Sequence, residues 1–365
     1  MFERLPPIDY AVRVGSHHKI SEDAKRFSIE YKYLESLPEH LDDSELAKEY
    51  AERFNLIKHK QRELLSNSNF LVGATVTKSI TEPLKGKEFD TVFIDEAHNL
   101  CLSSALLVLE RARKAVIVGD YWQLPPIYTT SSVSLDDRAE FSTFTFFYKK
   151  LMNRDPKRLI WLRTHYRCNE NIIAFSARHI YEEQIRVSEK CKKERLKLLY
   201  SNFSWLNPEK TVVLFDVPGS ENVDEKRSVF NITEAQYVTW ITKNLVSTEI
   251  NPNRIVVLTP FNAQTKIIRE ELKKKNLSQI PVRTVHRYVG GEKDIVIFSV
   301  AATDPSHLKF IDKRLTNVFV TRARKKLIII GSGKAVLNSQ NTTLTALYNY
   351  ISELHKQSKG LIIHQ

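Results

Sequence analysis

The feature that most limits what this chain can fold into is a series of short apolar runs that begins at residue 70. They are 70–74 (FLVGA), 91–94 (TVFI), 115–118 (AVIV), 159–162 (LIWL), 211–215 (TVVLF), 255–258 (IVVL), 295–300 (IVIFSV) and 327–330 (LIII). The runs are rich in β-branched residues and do not alternate with polar ones. Each ends in polar or glycine residues and leads into a helical stretch. Such runs suit strands buried on both faces of parallel sheets, with helices packed over them. They predict an α/β chain, and 365 residues predict two lobes, because that length exceeds one compact core. In open parallel sheets chemistry sits beyond the carboxyl ends of the strands, so the residues just after each run are the candidates for function.

Residues 20–66 break the pattern, being rich in Glu, Lys and Arg. Leu46, Tyr50, Phe54 and Ile57 recur at helical spacing after an Asp42 to Glu45 capping pattern, which predicts a helical hairpin broken near Pro38. No repeat at solenoid or propeller periods is present.

Composition bears on the surroundings. With 27% charged and 42% hydrophobic residues the chain is globular in character. No apolar run is long enough to span a bilayer, and the first residues (MFERLPPIDY) lack a signal-peptide stretch, so an intracellular, cytoplasmic protein without a membrane partner is expected. Cys101, Cys168 and Cys191 are too scattered for a disulfide framework or a zinc site. A formal charge of +12 favours a polyanionic partner such as nucleic acid by a modest margin over the alternative, a lysine-rich solvated surface.

Two segments carry the chemistry. In TVFIDEAH (91–98) a buried strand delivers Asp95 and Glu96, one carboxylate to hold Mg²⁺ through water and one to polarise an attacking water. Paired acids after a strand also occur as a helix N-terminal charge pair. In VIVGDYWQLPP (116–126) Gln123 at the end of a neighbouring strand could reach a γ-phosphate and its attacking water; the alternative is a tight turn with an exposed amide.

With these two segments together, the chain resembles the superfamily 1B helicases, the group of the nonsense-mediated-decay RNA helicase and the Okazaki-fragment helicase-nucleases. The remaining motifs follow in order. THYRCNENIIAF (164–175) places Tyr166 and Arg167 before a helix that Asn169 can cap. The resemblance makes Arg167 an arginine finger from the second lobe and sets Tyr166 against adenine. IVVLTPFNAQ (255–264) matches the Thr-Pro-aromatic turn near nucleic acid, so Pro260 and Phe261 are candidate contacts, although Phe261 could equally be core. The same resemblance adds Thr75. TVHRYVGGEKDIVIFS (284–299) resembles motif V, in which Thr284 would touch the nucleic-acid backbone and Glu292 would accept from the ATP ribose. Gly290 and Gly291 there permit close backbone approach. Val289 stands where the family usually has Gln. RLTNVFVTRARKKLIIIG (314–331) matches the helix of a second arginine finger, Arg322, with Phe319 replacing a usually small residue.

A phosphate cradle needs G-x-x-x-x-G-K followed by Ser or Thr, and no such string occurs among the ten glycines. Gly331-Ser332-Gly333-Lys334 is a decoy, since Ile328 stands where the first Gly would be and Ala335 follows the Lys. The resemblance therefore implies two RecA-like P-loop NTPase lobes with parallel sheets. The first, 1–155, would be truncated at its N-terminus and carry a stalk-like insertion at about 16–66; the second would be 156–365. It implies ATP and Mg²⁺ as cofactors, with Asp95 the metal contact, and single-stranded DNA or RNA as partner. It also implies a 5′ to 3′ direction, with the P-loop supplied from elsewhere, for example by a separate polypeptide. The rival expectation is a catalytically inactive nucleic-acid-binding or regulatory protein that keeps the helicase shell. A fused nuclease finds no separate acidic cluster to support it.

Overall fold

A computed structural model gives the fold and describes residues 11–14, 22–28, 43–66, 71–128, 135–197, 203–288 and 290–364. The chain divides into two compact units, Met1–Gly119 with Pro126–Phe147, and Asp120–Pro125 with Tyr148–Gln365. Both are α/β with parallel sheets.

In the first unit β1 (Ala11–Val14) pairs in parallel with β2 (Leu71–Ala74), and between them runs helix α1 (Asp43–Ser66). This helix is where one arm of the hairpin was expected, while Pro38 and Asp42 lie outside the described residues. Of the expected apolar stripe on α1, Ile57 is buried, Tyr50 and Phe54 are exposed, and the side chain of Leu46 lies outside the described residues. Pairs such as Arg53–Glu49 (2.6 Å) at i,i+4 lace its solvated surface. β3 (Phe89–Ile94) pairs in parallel with β4 (Ala112–Ile117), and α2 (Leu102–Leu109) connects them. Phe93 and Val116 on this pair are exposed, contrary to burial on both faces; the cover that the described residues give it comes from Ala105 of α2 against Ile94 and Ala97, with Phe144 packed alongside.

The second unit carries the large sheet. Its strands are β5 (Val212–Asp216), β6 (Ile255–Thr259), β7 (Val282–Thr284), β8 (Lys293–Ser299), β9 (Ala323–Gly331) and β10 (Gly360–His364), in the order β7-β6-β8-β9-β5-β10, all parallel. The unalternating runs are explained by two cores. Val212, Leu214, Val256, Leu258, Val296, Phe298, Leu327 and Ile329 point to one face. The residues between them, Val213, Phe215, Val257, Ile295, Ile297, Ile328 and Ile330, point to the other. The first face is covered by α3 (Glu170–His179), α6 (Lys313–Thr321) and α7 (Thr342–Lys356), the second by α4 (Ile232–Val246) and α5 (Asn262–Lys274). Phe319 of α6 stacks flat on Phe298 with ring centroids 3.7 Å apart, so a large side chain fits between helix and sheet.

One apolar run is not a strand. Residues 159–162 are irregular, with Ile160 85% and Leu162 81% exposed, and only Thr164–His165 just beyond them pairs, with Arg186–Val187. Apolarity and β-branching do not make a strand where no neighbouring strand offers a ladder. Among the described residues no helix is long and apolar enough to cross a membrane.

Candidate functional site

In the first unit Asp95 and Glu96 follow β3 directly. The backbone holds them there: Val118 N–H donates to the Ile94 carbonyl (2.8 Å) and Ala97 N–H to the Val118 carbonyl (2.9 Å). Glu96 sits in the left-handed region at φ 52°, and its N–H donates to Asp95 Oδ1 (3.0 Å). This turn points the two carboxylates into solvent, both exposed, while buried His98 brings Nε2 to 3.1 Å from Glu96. No group of three or more His, Cys, Asp or Glu side chains forms a metal cage among the described residues. Asp95 instead suits Mg²⁺, which is ordinarily held by one or two carboxylates together with phosphates and waters. Thr75, after β2, caps the short helix Val76–Ser79 by accepting from Lys78 N–H (3.3 Å) and is exposed.

The second unit gathers four of the expected residues. Gln123 belongs to the segment Asp120–Pro125, which is held by a polar knot. Asp120 accepts from Gln123 Nε2 (3.0 Å), Trp122 N–H (2.9 Å) and the Tyr181 hydroxyl (2.5 Å), and Asn317 Nδ2 donates to the Trp122 carbonyl (2.9 Å) and the Tyr181 oxygen (2.7 Å). Burial and the Asp120 charge raise the Tyr181 hydroxyl well above its usual pKa, so it remains a donor. Lys313 and Arg314 of α6 lie over the Trp122 ring, at 3.8 and 5.7 Å from its centroid.

With its donor fixed on Asp120, Gln123 turns its Oε1 towards Arg322, whose Nη2 lies 3.3 Å away. Arg322 ends α6 and is only 2% exposed; it also donates to the carbonyls of Val318 and Gly291 (3.2 Å each). Arg167 is ion-paired with Glu292 and donates to the Thr321 carbonyl (3.5 Å), while Arg324 approaches the second oxygen of Glu292 (3.8 Å). The Arg167 charge has a local effect, since burial first and then Arg167 hold His165 down to about 4. His165 is therefore neutral at ordinary pH, and its Nε2 accepts from Cys168 N–H (2.7 Å). Gln123, Arg167, Glu292 and Arg322 thus meet from four distant stretches of sequence. Tyr166, beside Arg167, is 72% exposed.

Gly290 has φ +83°, a region costly for residues with a Cβ, and a Cβ on Gly291 would come within 2.7 Å of the Tyr288 ring. Val289 lies outside the described residues. At the carboxyl ends of β6 and β7, Thr284 is buried, Pro260 and Phe261 lead into α5, and Phe261 is half-buried against Phe310 (centroids 5.8 Å, 28° between planes). Phe261 is thus packed in part against the core of the second unit. The sequence reading missed the Tyr181 and Asn317 anchors of Asp120. Only Asp120 itself, a carboxylate three residues past the end of β4, hinted at them.

A family model described as an AAA domain matches residues 143–334, and another of the same description matches residues 16–131. This chain belongs to the superfamily 1 helicases. Three relatives show how much of a longer protein this chain matches. An uncharacterized ATP-dependent helicase of Methanocaldococcus jannaschii is 29% identical over 83% of this chain and 44% of its own length. The DNA replication ATP-dependent helicase/nuclease of Mus musculus is 29% identical over 88% of this chain and 30% of its own. The regulator of nonsense transcripts 1 homolog of Drosophila melanogaster is 26% identical over 91% and 28%. This chain therefore spans less than half the length of each of these relatives.

Proposed function

We propose that this chain is the acid-and-arginine part of an ATP-dependent motor on single-stranded DNA or RNA, with two RecA-like lobes at 1–155 and 156–365, moving 5′ to 3′. The observation that carries the reading is the meeting of Gln123, Arg167, Glu292 and Arg322 in one hydrogen-bonded cluster. Cations fixed on backbone carbonyls, and an amide fixed on the Asp120 carboxylate, are pre-arranged to meet charge that develops on a transferred phosphoryl group, with little reorganisation at the moment of reaction.

Asp95 would hold Mg²⁺ through water, the ion supplying charge neutralisation at the phosphates, and Glu96 would polarise the attacking water. Gln123 orients that water, Arg167 and Arg322 are the fingers, Tyr166 stacks on adenine and Glu292 accepts from the ribose, beside the close backbone approach at Gly290. Thr75, Pro260, Phe261 and Thr284 contact the strand. The phosphate cradle comes from a segment outside these 365 residues, in the same or a separate polypeptide.

A catalytically silent, strand-binding shell is the competing reading. The Arg167–Glu292 pair favours it, because each partner is satisfied by the other. Turnover decides between them: with a P-loop polypeptide added, ATP hydrolysis stimulated by oligo-dT or oligo-U and abolished in Glu96→Gln supports the motor. Strand binding with no turnover in any mixture supports the shell.

A further inference from the structure

We propose that a ridge of five cations on the second unit binds the phosphate backbone of the single strand: Lys266, Arg269 and Lys273 on α5, Arg283 on β7 and Arg287 just after it. The ridge leads the bases on to the ring pair Phe261 and Phe310. This deepens the nucleic-acid reading above and rests on it.

The geometry begins with helical spacing. Lys266, Arg269 and Lys273 stand at i, i+3 and i+7, one face of α5, and all three are exposed. β7 is an edge strand whose one neighbour is β6, and Arg283 on it is exposed, as is Arg287 in the turn that follows. Arg269 Nη2 and Arg283 Nη1 donate to the same carbonyl, that of Val282, at 2.6 and 3.0 Å. Two guanidinium groups are therefore held side by side on one oxygen. Burial, and then the charges of Arg283 and Arg287, lower the pKa of Arg269.

Crowding of like charge needs a reason when counter-charges are to hand elsewhere in the unit. Arg167, Arg195, Arg254 and Arg324 each meet a carboxylate. Among the described residues none of the five ridge cations has an ion pair with the ridge's own neighbours or any other acid; the Lys274–Glu271 pair on α5 lies apart from the stripe. A cation on an edge strand does discourage sheet-to-sheet pairing, which accounts for Arg283 but leaves Arg269 and Arg287 unexplained. A polyanion that replaces released counterions accounts for all five.

Two further features fit a strand in particular. A cavity of about 200 Å³ lined by Arg269, Leu272, Lys273, Ser278 and Ile280 opens beside the ridge. At its other end His286, next to Arg287, lies 6.0 Å from Phe310, which is exposed and stacks on Phe261. Phosphate-binding cations running into exposed rings is the arrangement that holds single strands without regard to sequence.

The test is the salt dependence of binding to labelled oligo-dT and oligo-U, by fluorescence anisotropy with the full 365-residue chain. Replacing Arg269, Arg283 and Arg287 together with Gln is expected to weaken binding at least tenfold. It should also flatten the slope of log affinity against log salt by about 2, because each lost phosphate contact on a single strand removes roughly 0.7. The triple Lys variant should keep the slope. Phe310→Ala should lose affinity with the slope unchanged. Removing the same charge elsewhere, with Lys190, Lys243 and Lys356 changed to Gln, should do far less. Should the triple Gln variant not fold, Arg287→Gln alone tests the same point through a slope change of about 0.7. Intact binding whose slope falls no more in the ridge variant than in the lysine control overturns the ridge and leaves the nucleic-acid reading standing. No binding by the wild-type chain overturns both. Ridge-dependent binding to phosphatidylserine vesicles in place of oligonucleotides also overturns the assignment.

Discussion

At the residue scale, the buried ionisable groups make opposed pH predictions. Glu234 of α4 is fully buried and accepts from the Ser299 hydroxyl (2.6 Å) and Ala301 N–H (2.8 Å). Burial, partly offset by those donors, pushes it from its ordinary 4.5 up to about 7. The folded chain thus keeps a proton that the unfolded chain has already shed. Its stabilising effect is complete below pH 4.5 and is lost as pH rises to about 7, a change of roughly 3 kcal/mol. His165 runs the other way: held down to about 4, it contributes above its ordinary 6.5, and that contribution is lost as pH falls towards 4. Glu234→Gln should remove the first slope and leave the second, so urea melts of the variant should show stability that only rises with pH between these values. An unchanged pH profile would contradict this. Arg322→Ala should cost about 1–3 kcal/mol, since it strips donors from the Val318 and Gly291 carbonyls, and thermal melts would show it. The candidate site was legible in part at this scale. Gln123, Arg167, Glu292 and Arg322 stand in motifs, whereas Tyr181, which fixes Asp120 from 61 residues away, belongs to none. Its role exists only in the folded contact.

At the element scale, strands were legible whether or not the fold buries them on both sides: the runs at 70–74, 91–94 and 115–118 overlap β2, β3 and β4 although Phe93 and Val116 are exposed. The runs at 211–215, 255–258, 295–300 and 327–330 lie within β5, β6, β8 and β9 or extend them by a residue, because helices cover both faces of that sheet. The run at 159–162 failed for want of a partner strand, a property of the neighbours that no window of sequence contains. β7, only three residues long, and β10 at the far edge carried too little pattern to be read. The seam between α6 and β8 rests on one ring pair, Phe319 on Phe298. Phe319→Ala should open a cavity and cost about 3–5 kcal/mol, and Phe319→Leu distinctly less, as measured by denaturant midpoints at constant m. Equal effects of the two would mean that the site collapses around the loss.

At the scale of the whole molecule, the two units differ in what they bury. The six-stranded sheet has two cores, while the β3–β4 pair leaves Phe93 and Val116 in solvent. Amide protons of β3 and β4 should therefore exchange at least tenfold faster than those of β6, β8 and β9, since local opening scales with how little apolar surface covers a bond. Equal protection would show that the first unit is held by more than its described contacts. The unequal cover also frames the central claim, that Asp95 and Glu96 with Arg167 and Arg322 make one part of a motor and a P-loop segment makes the rest. The most direct measurement is ATP turnover, with saturating oligo-dT or oligo-U, as a P-loop polypeptide is titrated into this chain. Turnover should be absent for either alone, rise to a plateau at equal stoichiometry, and vanish with Glu96→Gln or Arg322→Ala. A plateau that is the same in those variants, or no turnover at any ratio while the strand is bound, would contradict the account.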